Sequence, residues 1–147
     1  MKIYLDNCCY SRPFDDQNQE RIHLESEAIL TILKRCKLDI YKIIGSDILD
    51  FEMNKLKNLD KKEKIKNLYQ IVEEKIKYTN EILEYAKKIK KQSLIRSLDS
   101  LHIACAEKQN IDIFLTTDDK LKNICKKLKL KIKVMNPIEF IMEVNYE

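Results

Sequence analysis

The sequence predicts an α/β fold in which helices cover a central parallel sheet, and three observations lead there. Short β-branched or aromatic runs alternate with long amphipathic stretches through the 147 residues. Acidic residues follow two of those runs directly, at Asp6 and Asp118, where an open α/β sheet places its ligands. With one glycine (Gly45) and two prolines (Pro13 and Pro137), no flexible linker divides the chain, so residues 1–147 are expected to form a single domain.

Taken in order, Lys2 to Leu5 is the first strand, ending at Asp6 and Asn7, residue types that favour strand ends and turns. After the turn-like Ser11-Arg12-Pro13, the stretch from Asp16 to Leu38 has Ile22, Ala28, Ile29, Ile32, Leu33 and Cys36 near a 3.6-residue period, which predicts a long helix. Ile40 to Ile44, closed by Gly45, is the second strand, and Ser46 is placed to N-cap a helix running through Glu52 to Leu56. Two lysine-rich helical stretches follow, Lys61 to Lys75 and Asn80 to Lys91. Ser97 then caps a helix carrying Leu98, Leu101, His102, Cys105 and Ala106. Asp112 to Thr116 resumes β character, Leu121, Ile124, Cys125 and Leu128 mark another helix, Ile132 to Met135 is a last strand, and Pro137 opens a final helical turn.

Composition narrows the function classes. The chain is 44% hydrophobic, yet it has no run of about eighteen apolar residues, and Asp6 stands where a signal peptide needs its apolar stretch. A soluble, cytoplasmic protein without membrane association is expected. Five cysteines form an odd set with no C-x-x-C pair, which argues against a disulfide framework or zinc ribbon and for reduced, buried thiols. The net charge of +4, from 28 basic and 24 acidic residues, suits a polyanionic partner. Solvated helix faces such as Lys61-Lys62-Glu63-Lys64 account for it equally well.

Four carboxylates stand out by context. Asp6 and Asp118 follow strands, Glu52 lies one and a half turns into the helix after the second strand, and Asp99 lies in the first turn of the helix at Ser97. Any one of the 24 acids is more often a cap or surface residue, but Asp99 sits on an otherwise apolar helical face and Asp118 just past a buried strand. Converging carboxylates repel one another unless a cation neutralises them. Carboxylate ligation suits Mg²⁺ or Mn²⁺, whereas zinc or copper would call for His or Cys. Such a site suits phosphoryl transfer, with the metal activating water and balancing charge on the leaving oxygen.

At these residues the sequence resembles the PIN-domain ribonucleases, which include the VapC-type toxins of bacterial toxin–antitoxin pairs. Ile3-Tyr4-Leu5-Asp6-Asn7 is similar to that family's first strand with its metal-binding Asp, and Ser46 through Glu52 to its Ser-to-Glu helix. Asp99 to Ala104 is similar to the family's D-x-L-H-x-A helix, Thr116-Thr117-Asp118 to its T-x-D loop, and Asn136-Pro137-Ile138-Glu139-Phe140 to its NPxEF segment. Asn7 to Asp16 is similar to an RPFDD version of the segment after the first acid. The resemblance covers nearly the whole chain and implies a three-layer α/β/α PIN-like fold, dependence on Mg²⁺ or Mn²⁺, and endonucleolytic cleavage of RNA leaving a 5′-phosphate. It also implies a homodimer and, where the protein is a toxin, an antitoxin partner. The alternative keeps the fold and drops the chemistry, leaving a catalytically silent module that binds RNA or a protein.

Around the four acids, Thr116 and Ser46 are candidates to orient carboxylates, against plain turn and cap roles. His102, one turn after Asp99, can hydrogen-bond a carboxylate or carry a proton, although a core-facing histidine beside the site is the plainer reading. Arg12 and Arg21 either bind substrate phosphates or pair with Asp15, Asp16 or Glu25. Asp119 either adds a fifth acid or favours a helix dipole, and the expectation rests on Asp118 alone. Tyr10 and Phe14 are expected to pack rather than stack on bases. Receiver domains and haloacid-dehalogenase phosphatases also place acids at strand ends. The first wants an acidic pair where Asp6-Asn7 stands, and the second wants Asp-x-Asp where position 8 is Cys.

Overall fold

A computed structural model describes residues 1–145. Its sheet has five strands: β1 (Lys2–Leu5), β2 (Lys42–Ser46), β3 (Glu74–Ile76), β4 (Ile113–Leu115) and β5 (Lys133–Met135). They lie in the order β3-β2-β1-β4-β5, with every neighbouring pair parallel. Ile3, Tyr4 and Leu5 of β1 are all fully buried, so both faces of the central strand are covered, as a parallel sheet requires. Helices supply the cover: α1 (Asn7–Ser11), α2 (Glu20–Lys37), α3 (Asp47–Asn54), α4 (Leu59–Tyr69), α5 (Asn80–Lys91), α6 (Ser97–Lys108), α7 (Asp119–Lys126) and α8 (Pro137–Asn145). The predicted α/β class and parallel sheet are borne out.

The chain moves outward from β1 through β2 to β3, then crosses to the other side of β1 for β4 and β5. The strand order therefore reverses around β1. A crevice is expected at such a reversal, beyond the carboxyl ends of β1, β2 and β4.

Three local expectations need correction. Asp6 and Asn7 begin a helix rather than a turn: Asp6 caps α1 by accepting the Asn7 N–H, and a 3-10 turn over Arg12–Phe14 follows. The lysine-rich helix expected to reach Lys75 ends at Tyr69, because Glu74–Ile76 pairs with β2 as a three-residue edge strand. Ser97 is the first residue of α6 rather than its cap, since Arg96 holds the cap position without a side-chain bond.

With so little glycine, helix ends are closed by other means. Asp39 (φ 59°) follows α2 and Asn110 (φ 54°) follows α6, both in the left-handed region that Asp and Asn tolerate. Ile40 N–H then reaches back to Arg35 O at 3.0 Å, and Ile111 N–H to Ala106 O at 3.1 Å. Gly45 itself is needed for close approach. A Cβ there would lie 2.3 Å from the Tyr69 hydroxyl and 2.8 Å from Val72 Cγ1.

Candidate metal centre

Three strand ends build the site. The Asp6 N–H donates to Leu115 O at 2.9 Å, which ties the end of β1 to the end of β4. Asp6 Oδ1 accepts from the Asn7 N–H at 2.8 Å, and Oδ2 accepts from Thr116 Oγ1 at 2.9 Å and from the Cys8 thiol at 3.5 Å. At the end of β2, Ser46 Oγ accepts the Leu49 N–H at 3.0 Å and so starts α3, whose second turn carries Glu52. Glu52 Oε1 lies 2.7 Å from His102 Nε2 on α6. Ligand atoms of Asp6, Glu52 and His102 all lie within 4.8 Å of one another.

Asp99 and Asp118 stand outside that cluster and are joined to each other through a cation. The guanidinium of Arg96 reaches Asp99 Oδ2 at 3.3 Å through Nε and Asp118 Oδ2 at 3.4 Å through Nη2. Asp118 Oδ1 is occupied as the cap of α7, accepting the Lys120 and Leu121 N–H groups. Burial, and next the charge of Asp6, push the Asp99 carboxyl above its usual range, and the nearby Arg96 only partly opposes this. Asp99 thus feels Asp6 although it offers no atom to the tight cluster.

The donor set fits a hard divalent cation. Asp6 and Glu52 present carboxylate oxygens together, with two more carboxylates at the rim, and a guanidinium is already drawn between those two. His102 departs from a carboxylate-only site, yet both its ring nitrogens are engaged, Nδ1 with the Tyr4 hydroxyl at 2.6 Å and Nε2 with Glu52. Three of the five thiols offer little. Burial pushes Cys105 and Cys125 up to about 12 and raises Cys9, so these three stay protonated.

Thr116 does more than turn the chain: its hydroxyl donates to Asp6 and accepts the Asp118 N–H at 3.1 Å, linking two of the acids. Ser46 is both the cap of α3 and a partner of the Tyr4 hydroxyl at 2.6 Å. Of the two readings left open for Arg12, the structure displays the pairing, with Glu25 at 3.0 Å and Asp15 at 3.3 Å. Arg21 likewise pairs with Glu25 and, through both terminal nitrogens, with Asp119. The reason is Glu25, which is fully buried and must be met by cations. Tyr10 is fully buried edge-to-face on Tyr69, as expected of a packing residue.

Sequence reasoning missed Arg96 and Tyr4 and gave His102 too little. The signals were there but faint. Arg96 stands three residues before Asp99, a helical spacing that brings side chains together, and Tyr4 is two residues before Asp6, the spacing of one face of a strand.

Comparison with known proteins agrees with this geometry. The profile of the PIN domain family matches residues 3–127, and the chain belongs to that family of nucleases. Among solved structures, FitAcB from Neisseria gonorrhoeae superposes with a TM-score of 0.62 at 17% identity, covering 92% of this chain and 97% of that one. VapBC2 from Rickettsia felis, bound to a DNA fragment from its promoter, gives 0.58 at 16% identity over 92% and 98%. FitAB bound to an IR36 DNA fragment gives 0.61 at 18% over 92% and 95%. At these identities the likeness is one of fold. No curated protein sequence matches the chain. Among the described residues, no helix is long and apolar enough to cross a membrane.

Proposed function

We propose that this protein is a Mg²⁺- or Mn²⁺-dependent endoribonuclease, acting in the cytoplasm as one domain over residues 1–147, with Asp6, Glu52, Asp99 and Asp118 holding the metal. The observation that carries this reading is the approach of the Asp6 and Glu52 carboxylates at the point where the strand order reverses, with Asp99 and Asp118 at the rim. Uncompensated, these charges repel, so the arrangement makes sense as a cation site. When bound, the ion supplies Lewis acidity toward a phosphodiester and positive charge against the developing charge of the leaving oxygen.

The protein's own groups do the positioning. Thr116 holds Asp6 by its hydroxyl, and the cap bonds of Asp118 leave Oδ2 facing the crevice partner Arg96. Arg96 is 75% exposed and held by two long contacts, so its guanidinium is free to exchange carboxylate for a phosphate oxygen of the substrate. RNA is favoured as substrate by the net charge of +4 and by the family resemblance.

Regulation by an antitoxin-like protein covering the acidic crevice, and a homodimeric state, belong to the same reading. The DNA-bound VapBC2 and FitAB assemblies support the idea of a protein partner. One observation favours the silent binding module instead: Arg96 already satisfies two of the four acids.

Cleavage of a structured RNA by wild type and by Asp6→Asn with Asp99→Asn, first in Mn²⁺ and then in EDTA, separates the two. Cutting that requires metal and is lost in the variant supports the nuclease. Folded wild type that binds RNA or a partner and never cuts makes it a binding module.

A further inference from the structure

We propose that Tyr4 and His102 are positioning residues for Glu52, acting through a buried hydrogen-bond chain that runs from Ser46 through Tyr4 and His102 to the Glu52 carboxylate. The inference rests on the reading of Glu52 as a metal ligand and goes beyond it by assigning what holds that ligand in place.

The chain is short and continuous. Ser46 Oγ lies 2.6 Å from the Tyr4 hydroxyl, that hydroxyl 2.6 Å from His102 Nδ1, and His102 Nε2 2.7 Å from Glu52 Oε1. Ser46 and Tyr4 are fully buried and His102 is 1% exposed, so no solvent competes along the first two links, and only the last, at Glu52, is open to it. The four residues come from the end of β2, from β1, from α6 and from α3. Packing fixes the rings: Tyr4 stacks on Phe114 with centroids 5.2 Å apart and 10° between planes, and meets His102 edge-on at 5.7 Å.

Counting protons gives the chain one direction. Tyr4 is a phenol and has a single proton to give. Glu52 as a carboxylate only accepts, which puts a proton on His102 Nε2. Nδ1 is then the acceptor, so Tyr4 donates to it, and Ser46 donates in turn to the Tyr4 oxygen while accepting the Leu49 N–H. Every polar atom is satisfied. With both imidazole nitrogens protonated, Tyr4 would have to turn its proton to Ser46, and the Ser46 hydroxyl proton would be left without an acceptor in a buried site.

The same count separates this role from metal ligation. A ligating imidazole must aim a free lone pair at the ion, but Nε2 carries the proton given to Glu52 and Nδ1 takes the Tyr4 proton. His102 therefore acts on a metal only through Glu52. The tyrosine sets the tautomer, the tautomer aims the N–H, and the N–H fixes one of the two oxygens of a half-exposed glutamate.

Two measurements test this. In metal-free protein labelled with ¹⁵N-histidine, long-range ¹H–¹⁵N spectra are expected to show His102 as the Nε2–H tautomer. His23, the other histidine, is exposed and serves as an internal reference. Tyr4→Phe should release that preference. A His102 with its proton on Nδ1, or averaged like His23, overturns the chain without any variant. Mn²⁺ binding followed by electron paramagnetic resonance should then weaken about 10-fold in Tyr4→Phe and in His102→Leu, with His102→Gln, whose amide N–H still reaches Glu52, recovering most of the loss. Pulsed spectra should show no directly coordinated nitrogen. A nitrogen coupling that disappears in His102→Gln makes His102 a ligand, and unchanged affinity in folded His102→Leu also sinks the positioning role. If wild type shows the expected tautomer but binds no Mn²⁺, the metal reading of Glu52 fails first and the positioning role goes with it.

Discussion

Glu25 is a fully buried carboxylate whose charge is met from three sides, by Arg12 at 3.0 Å, Arg21 at 3.3 Å and Asn136 Nδ2 at 2.6 Å. Those partners come from the 3-10 turn, from α2 itself and from the residue before α8, so one side chain ties together segments far apart in sequence. Removing one partner of a buried pair costs about 3–5 kcal/mol, and the lower end applies here because Arg12 keeps Asp15 and Arg21 keeps Asp119. Glu25→Ala is therefore expected to lower the unfolding free energy obtained from urea titration by about 3 kcal/mol, and a change below about 1 kcal/mol would show that water reaches the arginines. Arg21 continues the network to Asp119, the first residue of α7, and this bond holds the Asp119 carboxyl below its ordinary value of 3.8. A carboxyl depressed in the folded state adds stability above its ordinary pKa, and that stability is lost as pH falls through the depressed value. With both side chains about half exposed, the contribution is at most about 1 kcal/mol. Asp119→Asn should thus be slightly less stable than wild type at pH 7 and equal to it in strong acid. A difference that persists in acid would assign the loss to hydrogen bonding or packing of the side chain rather than to its charge.

At the scale of elements, the junction of β2 and α3 depends on an absent side chain. Gly45 lets β2 lie against Tyr69, whose hydroxyl accepts the Ser46 N–H at 3.1 Å, and Ser46 in turn begins the helix that carries Glu52. A methyl group 2.3 Å from that hydroxyl forces a shift, so Gly45→Ala is expected to cost about 1–3 kcal/mol by thermal melting. Tyr69→Phe, added to it, should recover only part of the loss, since Tyr69 Cζ at 2.9 Å and Val72 still crowd the site. Full recovery would place the clash in the hydroxyl alone. Elements of this kind divide into those the residue pattern displays and those it hides. Helix α5 was legible to the residue over Asn80–Lys91 because its apolar stripe is clean, with Ile82, Ala86 and Ile89 buried. Helix α1 spans only five residues and β3 only three, too short for any period to register. Glu74-Lys75-Ile76 also has the polarity of an edge strand, which merges with the lysine-rich helix before it. The site divides in the same way. Asp6 and Asp118 were visible because acids at strand ends are informative, whereas Tyr4 and Arg96 belong to residue types whose role appears only when separate elements meet.

For the molecule as a whole, the sheet that creates the crevice also creates an electrostatic conflict, because β1, β2 and β4 deliver acids or their supporting residues to one place. Asp99 registers the conflict, since burial and Asp6 raise its pKa in the fold. A carboxyl raised in the folded state binds its proton more tightly there than in the unfolded chain. Its ionisation therefore opposes folding above the raised value, and the penalty vanishes below the ordinary range. Metal-free Asp99→Asn should accordingly melt above wild type near neutral pH, with the gap closing as the pH falls. A divalent cation should reverse the order. A ligand that binds only the folded state stabilises it by RT ln(1 + [L]/Kd), about 2.7 kcal/mol at a hundredfold excess over Kd. Wild type in saturating Mn²⁺ should gain that amount and lose it again in EDTA, while Asp99→Asn gains less because a ligand is gone. Thermal melts of the two proteins across pH, with and without Mn²⁺, give all four quantities. A variant less stable than wild type in EDTA would mean that the Arg96 contact outweighs the repulsion, and equal Mn²⁺ gains in both proteins would remove Asp99 from the metal site.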